Sequence, residues 1–123
     1  MRLALVILVA GTACGADLRA ESARSRIGTG GGLAPDAVHA LVRAHVPEVR
    51  ACYEQFAKAE GRPMGVVRFA WTVDPSGAVT GLQVVATTLH SSSIEGCIAD
   101  EVRRWTFPAA PRATEVSEYP FTF

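Results

Sequence analysis

Residues 65–88, GVVRFAWTVDPSGAVTGLQVVATT, decide the fold, because two apolar runs flank a short turn. In the first run every second side chain is large and apolar: Val67, Phe69, Trp71 and Val73. This period of two is typical of a strand with one covered face. Between the runs, Asp74-Pro75-Ser76-Gly77 is turn chemistry, since proline presets φ and glycine tolerates positive φ. We therefore predict a β-hairpin.

The second run, residues 79–88, is expected to alternate in the same way. Its pattern predicts Leu82, Val84 and Ala86 on one face, and Gln83, Val85 and Thr87 on the other. An isolated hairpin is marginal in water, so it needs a covering layer. Helical patterns on both sides of the hairpin can supply that layer.

The first helical pattern covers residues 35–59. Pro35 suits the first helical position, and the apolar positions recur with helical spacing. These positions are Val38, Leu41, Val42, His45, Val46, Val49, Cys52, Tyr53 and Phe56. Pro47 lies inside the pattern and lacks an N–H, so we expect a break or kink near His45 and Val46.

The second helical pattern covers residues 92–106, and a final strand follows it. Ser92 and Glu95 have the spacing of a capping box, which predicts the start of the helix. Residues 115–123 alternate aromatic and polar positions, and Pro120 favours an edge position for this strand. The helical crossover before it places the first hairpin strand in the middle of the sheet.

The expected fold class is therefore α+β, with element order α-β-β-α-β. Two layers are predicted: a three-stranded antiparallel sheet, and two helices that cover one of its faces. Trp71 and Trp105 fall on the predicted buried faces, so we interpret them as core residues. Tyr119, Phe121 and Phe123 lie on the edge strand, where an aromatic row can belong to the core or to a partner surface.

Composition and motifs exclude several functional classes. The 123 residues carry 12 basic and 12 acidic side chains, without the basic stripe that nucleic-acid binding usually requires. GxGxxG, P-loop, HExxH and nucleophile-elbow motifs are all missing from the sequence. We therefore expect no enzymatic activity, cofactor, bound metal, nucleic acid or small-molecule substrate.

The beginning of the sequence indicates export. Residues 1–13 combine Arg2 with a short apolar run and small residues, as in a signal peptide. Cys14 follows at the place of a lipoprotein lipidation site, although Gly11 replaces the usual aliphatic residue of that motif. We expect Cys14 to carry a lipid that tethers the protein to the membrane from the periplasmic side. Ordinary signal-peptide cleavage near Cys14 is the alternative.

The organisation expected after the signal is a tether and one domain. Residues 14–32 contain the anchor cysteine and a polar stretch that ends in three glycines, which is typical of a flexible tether. Residues 33–123 form the domain. Gly15 replaces the aspartate that resembles an inner-membrane retention signal, which favours the outer membrane.

Cys52 and Cys97 remain once Cys14 is set aside. In an oxidising compartment an even pair indicates a disulfide, and each cysteine lies on the apolar face of its predicted helix. The alternatives are a catalytic thiol with His45 or His90, or a metal site. A metal site would need more closely spaced ligands.

The hairpin, followed by a helix, the sequence Trp105-Thr106-Phe107-Pro108 and an aromatic closing strand, resembles the C-terminal domain of TonB-family proteins. Cys52-Tyr53-Glu54, Cys97 and the final YPFTF narrow the resemblance to the AgmX/PglI C-terminal subfamily of myxobacterial-type envelope proteins. The resemblance covers about residues 37–123. A complete TonB also has a transmembrane anchor and a long proline-rich spacer, which this sequence does not show, so we do not assign energy transduction.

The resemblance implies a periplasmic module that binds an envelope protein, often by adding a partner strand to the edge of its sheet. The corresponding surface here is the last strand, with these expected contact residues: Val116, Ser117, Glu118, Tyr119, Phe121, Thr122 and Phe123. The alternative function is a structural or accessory envelope lipoprotein without strand exchange. In that alternative the tether can cover the edge.

Overall fold

The computed structural model describes residues 25–28 and 30–123. In chain order its elements are β1 (Arg26–Ile27), α1 (Pro35–Ala57), β2 (Val66–Val73), β3 (Val79–Thr87), α2 (Ser92–Arg104) and β4 (Thr114–Thr122). The expected signal segment and Cys14 lie outside the described residues. Within the described part of the chain, no helix is both long and apolar enough to cross a membrane.

The described elements form an α+β fold with a four-stranded antiparallel sheet in the order β1-β4-β2-β3. The predicted order of the hairpin strands and the last strand is confirmed. The predicted number of three strands is wrong, because β1 pairs with β4 and lies within the expected tether. Backbone donors and acceptors on an unpaired sheet edge can form hydrogen bonds only with water, and β1 provides partners for some of those on β4.

One face of the sheet packs against both helices. On β2 the buried and half-buried residues alternate without exception, as the sequence predicts. Helix α1 contributes Val38, Val42 and Val49 to the core, and α2 contributes Ile94, Ile98 and Val102. Trp71 and Trp105 are 2% and 3% exposed, which confirms their prediction as core residues.

Helix α1 is continuous across Pro47, so of the predicted break or kink near His45 and Val46 the break is wrong. Pro47 is exposed. The carbonyl of Arg43 loses its usual N–H partner there, but on the solvent side water can hydrate it. His45 instead packs inward and stacks on Trp105, with ring centroids 4.8 Å apart. Burial of the opposite helix face therefore outweighs the missing hydrogen bond.

Strand β3 departs from the predicted alternation at two places. Its pairing with β2 shifts register between Arg68 and Phe69 and again between Ala70 and Thr72. Extra residues on β3 at these places disrupt its period of two. As a result Val84 and Val85 are both exposed, at 40% and 42%, although the sequence predicts them on opposite faces.

Helix α2 begins one residue away from the predicted cap. Ser91, not Ser92, is the N-cap, and its Oγ accepts a hydrogen bond from the N–H of Ile94 at 3.2 Å. The Ser91 N–H donates to Glu95 Oε2 at 2.8 Å, and its hydroxyl donates to Glu60 Oε2 at 2.8 Å. Ser91 is buried. The cap thus also fastens α2 to the segment that follows α1.

The two helices are joined by the predicted disulfide between Cys52 and Cys97, whose Cα atoms lie 5.6 Å apart. This distance lies within the usual range for a disulfide. Cys52 belongs to the buried core and Cys97 is half-buried against it. The bond therefore fixes the middle of α2 to the second half of α1.

Candidate functional site: the outer edge of the last strand

Strand β1 covers the first part of the outer edge of β4. Arg26 lies opposite Glu118, and Ile27 lies opposite Val116. The N–H of Gly28 donates to the carbonyl of Glu115 at 2.8 Å. The edge predicted to be free over residues 116–123 is thus occupied at 116–118, and that part of the prediction is wrong.

Side chains strengthen this cover. The hydroxyl of Ser117 donates to the carbonyl of Arg26 at 3.3 Å. Arg26 Nε lies 3.5 Å from Glu118 Oε2, although the arginine side chain is 73% exposed. Exposed ion pairs contribute at most about 1 kcal/mol. The backbone edge at Ser117 and Glu118 is therefore closed to a partner strand unless β1 leaves.

The remaining edge covers residues 119–123, and no described residue pairs with its outer side. Phe123 and Gly65 exchange two backbone hydrogen bonds, of 2.8 and 3.0 Å. Antiparallel ladders alternate, so Phe121 also faces β2, whereas Pro120 and Thr122 turn their backbone groups outward. Proline has no N–H. This edge therefore offers two carbonyls and one donor, the N–H of Thr122.

The aromatic side chains of this segment belong mainly to the core. Tyr119 and Phe121 are 9% and 7% exposed, and Phe123 is half-buried. Phe123 stacks on Tyr53 of α1, with ring centroids 4.7 Å apart and planes 5° from parallel. These rings position α1 over β4, so a partner would meet their edges and the backbone rather than an exposed aromatic row.

A groove of about 330 Å³ runs between α1 and this free edge. Residues 119–122 of β4, together with Phe123, form one wall. The other wall comes from one face of α1: Val42, Arg43, Val46, Val49 and Arg50. The sequence predicted the strand wall but not this helix wall. The sequence did contain a signal for the helix wall: Arg43 and Arg50 are seven residues apart, a spacing that places both on the same side of a helix.

His39 connects α1, β4 and the segment before β1. Its Nδ1 lies 2.9 Å from the Tyr119 hydroxyl, and its Nε2 lies 3.2 Å from Ser25 Oγ. Burial raises the pKa of Tyr119 above its ordinary value, while the nearby Arg43 guanidinium opposes this shift. Tyr119 is therefore a neutral hydrogen-bonding residue at physiological pH, which suits a structural contact.

Chemistry at the cysteines and histidines is limited by their positions. A disulfide-bonded cysteine has no thiolate, so the oxidised pair provides no nucleophile. Across residues 25–28 and 30–123, no group of three or more His, Cys, Asp or Glu side chains is arranged to hold a metal ion. His39 and His45 instead contact aromatic rings.

The comparisons with known proteins do not add to this description. No family model, curated protein or solved structure matches the chain.

Proposed function

We propose that this domain is a non-enzymatic protein-binding module that accepts an extended segment of an envelope partner as an additional strand on β4. The observation that carries the proposal is the segment 119–123, where a sheet edge that no described residue pairs with lies directly beside an apolar groove. An added strand can hydrogen-bond to the backbone of the edge while alternate side chains enter the groove. The expected lipid on Cys14 would keep the domain in the periplasm, close to a membrane.

Strand β1 supports this proposal, because it is itself an added strand from a distant part of the chain. It pairs antiparallel with β4 through residues 26 and 27. The geometry of β4 is therefore compatible with an antiparallel neighbour. A partner strand that continues in the same line would run beside residues 119–123.

The short edge also limits the affinity. Three backbone groups can form about three hydrogen bonds, each with a net contribution of about 1 kcal/mol. Association costs at least about 4 kcal/mol in lost translational and rotational freedom. Backbone pairing alone is therefore too weak, and side chains in the groove must supply the remainder. Tethering of both partners to one membrane would further raise their effective concentration.

Substitution of Thr122 by proline tests the mechanism, because it removes the outward N–H. Thr122 is exposed, so the core should tolerate the change. A photo-crosslinking amino acid at position 122 in the native envelope identifies the partner segment, which is then synthesised and titrated against each variant. Because the proline ring also projects from the outward side of the strand and would obstruct an incoming strand, we expect Thr122→Pro to abolish binding with unchanged circular dichroism. The matched control Thr122→Ala keeps the N–H and should bind within about twofold of wild type.

Full-strength binding by a correctly folded Thr122→Pro variant would exclude strand addition at this edge. Ser117→Pro is less informative, because Ser117 lies beneath β1 and contacts Arg26.

A structural or accessory role without strand exchange is the second candidate, and the cover of residues 116–118 by β1 favours it. Hydrogen exchange distinguishes the two functions. Strand addition predicts protection of the Thr122 amide in the complex, whereas an accessory role predicts unchanged exchange there and protection elsewhere.

A further inference from the structure

The rim of the groove beside residues 119–123 is positively charged. Arg43 and Arg50 both lie in the α1 wall, and both are exposed. Neither forms an ion pair with any described residue. Two guanidinium groups that have no carboxylate partner among the described residues, at the border of an apolar groove, can recognise carboxylates of a ligand.

The acidic side chains of the neighbouring elements do not neutralise this rim. On α1, Glu48 is directed to His45 and Glu54 to Arg62. Asp36 lies in the first turn of α1, and Glu118 pairs with Arg26. Among the described residues, no carboxylate lines the groove. The charge of the groove is therefore available to a ligand.

The spacing of the two arginines defines a pattern. Seven helical residues span about 10.5 Å along the axis. In an extended strand, residues four apart lie about 13.5 Å apart and share one face with the residue between them. The long arginine side chains can cover the difference of about 3 Å. The intermediate side chain would then point toward the apolar floor formed by Val46 and the buried Val42 and Val49.

We infer that the segment bound beside β4 is an acidic extended peptide with the pattern acidic-x-apolar-x-acidic, in which Arg43 and Arg50 contact the two carboxylates. This inference rests on the proposed strand addition and adds the chemistry of the partner. The backbone of residues 120 and 122 supplies the register, and the two arginines and the groove floor supply the specificity.

A selection from random peptides tests the inference and does not require the natural partner to be identified first. Phage-displayed random nonapeptides are selected against the oxidised protein at low salt, and in parallel against a variant that combines Arg43→Glu and Arg50→Glu. We expect the acidic-x-apolar-x-acidic pattern among wild-type binders and basic residues at the same positions among binders of the variant.

Titrations of the best synthetic peptide then measure each contribution. Arg43→Gln and Arg50→Gln should each weaken binding about two- to fivefold at low salt, the range expected for an exposed ion pair. High salt should reduce these differences through screening. Lys58→Gln is the matched control, because Lys58 is exposed at the end of the same helix and does not line the groove. This control should leave the affinity unchanged.

Four results would overturn the inference. Binders that Thr122→Pro blocks but that show no acidic preference would refute the acidic pattern alone and leave strand addition standing. Binders that are insensitive to Thr122→Pro, or a selection without binders, would refute the proposed function and the inference together. Arginine-dependent binding to phosphatidylglycerol vesicles, without binding of acidic peptides, would assign the rim to a lipid surface instead.

Discussion

Removal of the disulfide between Cys52 and Cys97 should cost roughly 4 kcal/mol of stability. The two residues are separated by 45 positions. In the chain-entropy model, closing a loop of about this length lowers the entropy of the unfolded chain by about 13 cal/mol/K, or roughly 4 kcal/mol at 25 °C. Small domains have total stabilities of about 5–15 kcal/mol. The bond should therefore supply a quarter or more of the stability.

Urea unfolding of the oxidised and the reduced wild-type protein measures this contribution directly. With a denaturant slope of about 1.5 kcal/mol per molar, the loss shifts the midpoint by roughly 2.7 M. The double variant with Cys52→Ala and Cys97→Ala should be slightly less stable than the reduced wild type. Cys52 is 3% exposed, so truncating it also removes core contacts.

The matched control is the double variant with and without reductant, which should unfold identically. A difference of less than about 1 kcal/mol between oxidised and reduced wild type would refute the entropic account. In that case the packing around Ser91 and in the helix core would hold α1 and α2 together, and the disulfide would add little to the stability.

Three further predictions concern local structure. Gly77→Ala should destabilise the domain by several kcal/mol in denaturant titrations, because Gly77 has φ +97 and an added Cβ would lie 2.0 Å from the carbonyl oxygen of Phe107. Ser91→Ala should lower the melting temperature, with a loss of about 1–2 kcal/mol from the missing cap. The hydrogen bond from the Ser76 hydroxyl, followed by that from the Ala78 N–H, lowers the pKa of Asp74 below its ordinary 3.8. The stabilisation of the folded state by the ionised Asp74 carboxylate is therefore complete above that value and is lost as the pH falls through the lower pKa of the folded state. Asp74→Asn should remove this part of the acid dependence of stability, as measured in unfolding titrations.

Much of the fold could be predicted from the sequence, because the spacing of apolar residues over a long segment indicates both its secondary structure and its buried face. The strict alternation of β2 and the helical spacing of α1 each extend over several turns or residue pairs, so single exceptions such as Pro47 do not hide the pattern. The pairing of Cys52 with Cys97 followed from their places on two apolar helix faces.

Other features could not be predicted, since their signals are short or depend on tertiary contacts. Strand β1 has two residues, and Arg26 is exposed, so no periodic pattern marks it. Strand β1 is stabilised by pairing with the edge of β4, and that pairing cannot be inferred from the sequence of β1 itself. The bulges in β3 are likewise invisible, because the sequence from Val79 to Thr87 reads as an ordinary alternating strand.

The candidate site was predicted at the level of the strand, but its position along the strand was not. The sequence marks residues 115–123 as an edge through Pro120, and among the described residues only the two-residue β1 lies outside this strand. Which half of the edge is open depends on β1, and the groove depends on how α1 lies over β4. The stacking of Tyr53 on Phe123 fixes that second arrangement.

The sheet has a second outer edge, β3, and the choice between the two edges rests on geometry rather than on the amount of exposed backbone. Within the described residues β3 has no outer neighbour, and it exposes Val84 and Val85. Its two bulges, however, interrupt the regular alternation of outward donors and acceptors that an incoming strand requires. The shorter edge of β4 keeps regular pairing with β2 from Tyr119 onward and adjoins a groove with a charged rim. A strand added there would gain both backbone and side-chain contacts, and for this reason we propose β4, rather than β3, as the partner-binding edge.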